Sequence, residues 1–406
     1  MSSDKNICPL FSRCGGCQME SLTYGKEIFE KQKYMESYLD KFQVVAPIIA
    51  MKDPYYYRTK VQAVFGTDRR GEVVSGIYRR GTHMLIPVRS CMLEDQKCDD
   101  ILATIRKLVS SIGIMVYDED AQTGFLRHVL IKRSLTTGQI MVVLVAGSAR
   151  FPQKKEFVGN LIAIHPEITS IMLNKNADKT SMVLSEEPEV LLYGQSYIED
   201  EMLGLKFRIS AKSFYQVNPV QAEVLYKVAI RMACLTGKEK VIDAYCGTGT
   251  IGLIAAKHGA SQVLGIESNP DAIEDAITNA KENSIDNAAF VCDDAGVRLK
   301  AMSRDLNLIH SDPNAKLSFS PELFHPDVVF LDPPRSGSTE QFLSALIRLE
   351  PQRIVYISCS VETLERDLCY ILDHSDYHVD GIQGVDMFPH TEHVETVVLM
   401  SRVDGK

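Results

Sequence analysis

The sequence predicts an α/β protein whose C-terminal half is built on a mostly parallel sheet and whose middle is β-rich. Three observations carry this. From Lys240 onward strand-like and helix-like stretches alternate, the pattern of a parallel sheet covered on both faces. A glycine-rich string, Asp243-Ala-Tyr-Cys-Gly247-Thr-Gly249-Thr-Ile-Gly252, joins the first of these strands to its helix. Farther on, the apolar run Arg353–Ile357 stops at a thiol between two hydroxyls, Ser358-Cys359-Ser360.

A chain of 406 residues implies two or three domains. Its 45% hydrophobic and 24% charged residues are ordinary for a soluble globular protein. No run reaches the roughly 18 apolar residues of a membrane span. The first residues, Met1–Asn6, lack the apolar core of a signal peptide. A cytoplasmic protein without membrane contact is expected. Its ten cysteines are then metal ligands, nucleophiles or buried thiols rather than disulfides. The net charge is −9, yet residues 51–90 hold eight Lys and Arg against three acids. Such a basic patch on an acidic body can engage phosphates.

Taken in order, residues 22–42 read as a helix with Ile28, Met35, Leu39 and Phe42 on one face. Residues 55–90 and 125–210 read as strands punctuated by glycine turns. Asn218-Pro219 suits a helix start. Strands are then expected at 240–245, 262–267, 289–293, 327–331, 353–357 and 394–400. Helices fit 251–258, 270–283, 339–349 and 361–373. Ligands of such sheets sit at the carboxyl ends of the strands.

Gly247, Gly249 and Gly252 let the backbone approach a ligand closely, and Glu267, closing the next strand, can hold ribose hydroxyls. NAD enzymes and S-adenosylmethionine enzymes both use this arrangement. The string Val328-Val-Phe-Leu-Asp332-Pro-Pro-Arg335, followed by a strand-end thiol, favours methyl transfer to a base. Carbon 5 of uracil becomes a nucleophile once a thiolate adds to carbon 6. A base must then remove the carbon 5 proton. Cys359 is the candidate nucleophile and Glu395 the candidate base, the latter because a free carboxylate is ionised at pH 7; His390 and His393 are the alternatives.

These strings resemble the S-adenosylmethionine-dependent RNA uracil-5 methyltransferases. The matches are Ser213-Phe-Tyr-Gln216-Val-Asn-Pro219, Asp243-Ala-Tyr245-Cys-Gly247, Leu331-Asp332-Pro-Pro-Arg335, Tyr356-Ile-Ser-Cys359 and Asp386-Met-Phe-Pro-His390 through Glu395. The resemblance implies a Rossmann-like class I methyltransferase domain. It makes Cys359 the nucleophile and Glu395 the base. It assigns Gln216, Tyr245, Glu267 and Asp332 to S-adenosylmethionine, with Asp294 (or Asp293 beside it) reaching the adenine.

Near the start, Cys8, Cys14 and Cys17 have C-x5-C-x2-C spacing; Cys91 is the candidate fourth thiolate, with Cys98 in reserve. Four thiolates suit zinc or an iron–sulfur cluster. This arrangement resembles the iron–sulfur subgroup of the same family, which implies a 4Fe–4S cluster and 23S rRNA as substrate. No methyl-transfer step needs an electron, so a folding or RNA-positioning role is expected. Several relatives begin with an OB-like module; with Cys8 so near the start, none is expected here. RNA contact is then expected from Tyr55-Tyr-Tyr-Arg58 and Gly124-Phe-Leu-Arg-His128.

The expected organisation is a cluster segment at 1–19 with Cys91, a helix at 20–50 packing on the catalytic domain, a β-rich RNA-binding domain at 51–207, and a catalytic domain at 208–406. No obligate protein partner is evident. The alternatives are the same chemistry on tRNA, a cytosine-5 methyltransferase, an NAD-linked oxidoreductase, and a non-catalytic iron–sulfur RNA-binding protein.

Overall fold

The computed structural model describes residues 8–179, 182–311 and 325–403, so Met1–Asn6 lie outside the described residues. In chain order the elements begin with α1 (Phe11–Cys14), α2 (Tyr24–Leu39), β1 (Val45–Ile49), β2 (Lys60–Thr67), β3 (Val73–Tyr78) and β4 (Leu85–Pro87). Next come α3 (Gln96–Ile112), β5 (Leu126–Arg133), β6 (Ile140–Ala146), α4 (Lys154–Ile164), β7 (Ile168–Lys175), β8 (Val190–Gly194), β9 (Tyr197–Met202) and β10 (Leu205–Ser210). The rest alternates: α5 (Pro219–Ala233), β11 (Lys240–Ala244), α6 (Thr250–Lys257), β12 (Gln262–Glu267), α7 (Pro270–Glu282), β13 (Ala288–Cys292) and α8 (Ala295–Ser311). It closes with β14 (Val328–Leu331), α9 (Glu340–Leu349), β15 (Arg353–Ser358), α10 (Val361–Asp373), β16 (Tyr377–Val385) and β17 (Glu395–Arg402).

These elements form two compact units. One comprises Met1–Thr23, Asp53–Met202 and Phe207–Pro219; the other comprises Tyr24–Lys52, Leu203–Lys206 and Val220–Lys406. The first therefore keeps the segment after β10, up to Pro219, which the sequence reading assigned to the catalytic domain.

The first unit is a seven-stranded sheet in the order β4-β3-β2-β5-β6-β7-β8, antiparallel except for the parallel pair β6–β7. Every residue of β6 is buried, because α3 and α4 cover one face while Ile198, Ile209 and Ala211 pack on the other. A strand covered on both faces reads as a continuous apolar run, and Ile140–Ala146 is one.

The second unit carries an eight-stranded sheet in the order β1-β16-β17-β15-β14-β11-β12-β13. Strands β11 to β15 are parallel. Strand β17 runs antiparallel to both its neighbours, β15 and β16, and β1 pairs parallel with β16. Two strands of this sheet, β1 and β16, lie outside the six expected from the sequence.

The N-terminal excursion α2–β1 is bound into this unit by buried charge. Lys31, 1% exposed, lies 2.8 Å from Glu27 and 2.7 Å from Asp386, both fully buried. Its Nζ also donates to the Phe388 carbonyl, and Tyr24 donates to the other oxygen of Asp386 at 2.7 Å. The helix comes so close to β16 that a Cβ on Gly384 would fall 2.6 Å from Met35 Sδ.

Removing one partner of a buried ion group leaves uncompensated charge behind. Lys31→Met is expected to destabilise this unit by roughly 3–5 kcal/mol in urea unfolding. A loss within the noise of a surface substitution would contradict the role given to the cluster.

Candidate active site

Strand β11 delivers Asp243, fully buried, at the mouth of the glycine loop. Asp243 Oδ2 accepts the Gly252 amide at 2.7 Å and so ties the loop to the start of α6. Burial, reinforced by Asp332 and Glu267, pushes its carboxyl up to about 8. Tyr245, Gly247 and Gly249 all have left-handed φ, at 66°, 54° and 81°. Glycine accepts that conformation freely, whereas for Tyr245 it is a strained backbone held by its surroundings. The Gly247 amide donates to Glu267 Oε2 at 3.2 Å, and the space where a Gly247 Cβ would sit is open. An acid beside an open glycine turn fits the ribose end of S-adenosylmethionine. At the next strand end, Asp294 caps α8 through the Val297 amide and faces Tyr245 electrostatically, while Asp293 pairs with Arg298 at 3.0 Å.

The thiol and the carboxylate are brought together by strand pairing. In the β15–β17 ladder Ser358 is opposite Thr396, so one step farther sets Cys359 against Glu395. Cys359 is half-buried; burial first, then the Glu395 charge, pushes its thiol up to about 11, and Arg335 opposes the rise. Glu395, 5% exposed, is pushed up to about 8 by burial and then by Asp332, again with Arg335 opposing. Asp332 is lifted to about 7 by burial. This corrects the expectation of an ionised Glu395 at pH 7: taking the group out of water favours its neutral form.

The two histidines proposed as alternative bases are engaged otherwise. His390 has its amide on Glu27 Oε1 at 2.6 Å and its ring 3.3 Å from Glu27 Oε2. His393 Nε2 accepts from Arg335 at 3.3 Å. Within Asp332-Pro-Pro-Arg335 nothing in the sequence marks Arg335 as a site residue. Its role as the cation shared by Cys359 and Glu395 emerges from the fold.

Gln216 belongs to the first unit, half-buried in a segment pinned where Lys132 donates to the Ser210 and Ser213 carbonyls and Thr59 to that of Val217. The four cysteines Cys8, Cys14, Cys17 and Cys91 lie in that unit too, half-buried and free of disulfides. Cys17 senses the charge of Cys91 and Cys14, and Cys14 that of Cys8. Among the described residues, however, no group of three or more His, Cys, Asp or Glu is arranged to hold a metal. The expected ready-made cage is thus not formed.

The expected RNA-contact strings divide. Tyr55 and Tyr56 are exposed with ring centroids 6.4 Å apart, whereas Tyr57 is buried. Phe125 stacks on Phe151 at 4.4 Å, and Arg127 is buried against Glu119, Asn176 and Asp178. His128 is buried, which together with Arg127 lowers its ring to about 4. The second string is therefore core. Six of the basic-patch cations, Lys52, Arg69, Arg70, Arg79, Arg80 and Arg89, are exposed. No helix among the described residues is long and apolar enough to cross a membrane.

The mostly parallel sheet with its glycine loop, strand-end acids and thiol–carboxylate pair defines a Rossmann-like methyltransferase. Residues 23–403 match the family described as tRNA (Uracil-5-)-methyltransferase, and the chain belongs to that family. It is an S-adenosylmethionine-dependent RNA uracil-5 methyltransferase. It is 39% identical over 402 residues to an uncharacterized RNA methyltransferase of Bacillus cereus, covering 98% of this chain and 83% of that one. A Clostridium acetobutylicum counterpart is 40% identical over 405 residues, covering 98% and 84%. The crystal structure of Pyrococcus abyssi tRNA (uracil-54, C5)-methyltransferase with S-adenosyl-L-homocysteine superposes with a TM-score of 0.76 at 25% identity, covering 95% of this chain and 85% of that one.

A raised folded-state value means that Glu395 holds its proton through neutrality, while action as a base requires its loss. Turnover is expected to climb with pH from 6 to 8 as Glu395 ionises, and to keep rising above about 8, where the Cys359 thiol, pushed up to about 11, still loses its proton. A flat profile between pH 6 and 8 would overturn this placement.

Proposed function

We propose that the chain forms 5-methyluridine by covalent catalysis, with Cys359 as nucleophile and Glu395 as base. The β15–β17 register that sets these two residues opposite each other carries the reading. Cys359 adds to carbon 6 of the uracil, which makes carbon 5 an enolate carbon. S-adenosylmethionine, when bound, supplies the methyl group. Glu395 then removes the carbon 5 proton, and the Cys359–carbon 6 bond breaks to restore the ring. Arg335, near both groups, favours the thiolate and the carboxylate over their neutral forms. Tyr245, Glu267, Asp332, Asp294 and Gln216 are assigned to the methyl donor. The uridine must leave its stack to reach the thiol, so a flipped base in a loop or bulge is the substrate geometry.

The target we favour is 23S rRNA, on the strength of the four cysteines and the subgroup they resemble. A 4Fe–4S cluster on Cys8, Cys14, Cys17 and Cys91 belongs to this reading. Its support is the donor set: four half-buried thiols in one unit, with Cys8 acting on Cys14, and Cys14 and Cys91 acting on Cys17. The cluster would order the chain around it rather than take part in methyl transfer. tRNA is the second reading, favoured by the Pyrococcus abyssi enzyme, which acts on uracil 54 of tRNA.

Cys359→Ala is expected to abolish methyl transfer from tritiated S-adenosylmethionine; normal transfer would end the covalent route. Glu395→Gln is expected to slow turnover by roughly 10²–10⁴ and to trap a methylated RNA–protein adduct on denaturing gels. Mapping 5-methyluridine in ribosomal and transfer RNA, with and without this protein, decides between the targets. Protein purified without oxygen should carry iron and acid-labile sulfide, both lost in Cys14→Ser; zinc in their place would refute the cluster.

A further inference from the structure

The turn after β14 runs Asp332-Pro-Pro-Arg335-Ser-Gly337-Ser338-Thr339 and ends as the cap of α9. Its second half is gripped by α10, the helix that starts two residues after Cys359. Asp367 on that helix is 1% exposed. Its Oδ2 accepts the Ser338 amide at 2.8 Å and the Tyr356 hydroxyl at 2.6 Å. Its Oδ1 accepts Arg366 Nε and Nη2 at 2.8 and 2.7 Å, and the same Nη2 donates to the carbonyls of Ser336 and Ser338. The turn lies so close that a Cβ on Gly337 would sit 2.5 Å from Arg366 Nη2 and 2.7 Å from Asp367 Oδ2, and its φ of 72° is itself left-handed.

The network continues to the glycine loop. The Ser338 hydroxyl lies 3.5 Å from the Tyr356 hydroxyl, and the Ser338 side chain also acts on the phenol of Tyr245, offsetting part of the rise that burial causes there. The Tyr245 ring packs on Phe342, with centroids 5.3 Å apart. A residue with a Cβ holds a left-handed backbone only where its surroundings over-determine it. For Tyr245 that restraint acts at the far end of the side chain, on a serine that Asp367 positions.

We propose that Asp367 is a positioning residue for methyl-donor binding: through Ser338 and Tyr356 it anchors Tyr245, and so sets the shape of the glycine loop at Tyr245–Gly249. The proposal rests on the reading that Tyr245 lines the donor site. Asp367 touches no reacting group. Its effect belongs on affinity for the donor, not on RNA affinity or on the chemical step. Burial and the Asp367 charge hold the Tyr356 phenol in its protonated, donating form, so the link does not switch at neutral pH.

The test is calorimetric binding of S-adenosylhomocysteine together with steady-state kinetics. Asp367→Asn turns an amide donor toward the Arg366 guanidinium and loosens the turn. It is expected to weaken S-adenosylhomocysteine binding and raise KM for S-adenosylmethionine about tenfold, equivalent to about 1.4 kcal/mol. KM for RNA and kcat should change less than about twofold. Tyr245→Phe removes the anchored hydroxyl and should behave alike. The double variant should bind no more weakly than either single one, because both break one link. A purely structural clamp would lower thermal stability without this KM split or this non-additivity. Wild-type affinity in Asp367→Asn, or additive losses in the double variant, would overturn the proposal. If Asp367→Asn does not fold, Tyr356→Phe and Ser338→Ala, each deleting one hydroxyl, make the same comparison. Unchanged affinity in Tyr245→Ala would instead refute the assignment of Tyr245 to the donor site, an outcome separate from the behaviour of Asp367.

Discussion

The antiparallel pairing of β17 with β15 is the constraint on which the site depends. In a sheet whose other central strands run parallel, the carboxyl ends gather on one edge, and ligand groups gather with them. Glu395 opens β17 instead of closing it. Only because β17 runs the opposite way does its first residue reach the edge where β15 ends and Cys359 begins its turn. A parallel β17 would carry Glu395 to the far side of the sheet. A one-residue slip in register would turn the carboxylate to the opposite face.

Burial then decides the chemistry of what is gathered. Asp243, Asp332 and Glu395 are each raised well above the ordinary carboxyl range by loss of water. Three acids can sit close in such a place because their neutral forms cost less than their charges would. Arg335 is the countercharge that Cys359 and Glu395 share. The same logic operates at the buried Lys31 group, where one ammonium serves two carboxylates and thereby binds α2 to the segment that leads into β17.

Much of the catalytic unit was legible from local signals. The strands from β11 to β15 are short apolar runs ending in chemistry-bearing residues, and their helices carry caps such as Asn269, Thr339 and Ser360. The glycine loop and its acid are a spacing pattern. What escaped was pairing between distant segments. Strand β1 joins β16 across more than three hundred residues, and nothing in Val45–Ile49 names its partner. The Gly124–His128 string misled because aromatic and cationic residues look alike whether they meet RNA or, like Arg127, a buried set of carbonyls.

Local patterns in the chain specify the parts: a glycine turn with its acid, a strand-end thiol, a carboxylate entering the last strand, four cysteines, and the family to which these belong. Those are matters of residue type and short spacing, which local backbone preference and chemistry dictate. Only the folding of distant segments brought the thiol opposite the carboxylate, set Arg335 to act on both, and placed Asp367 against Ser338 and Tyr356. Such contacts depend on strand direction, register and loss of water, and these are set by packing among segments far apart in the chain.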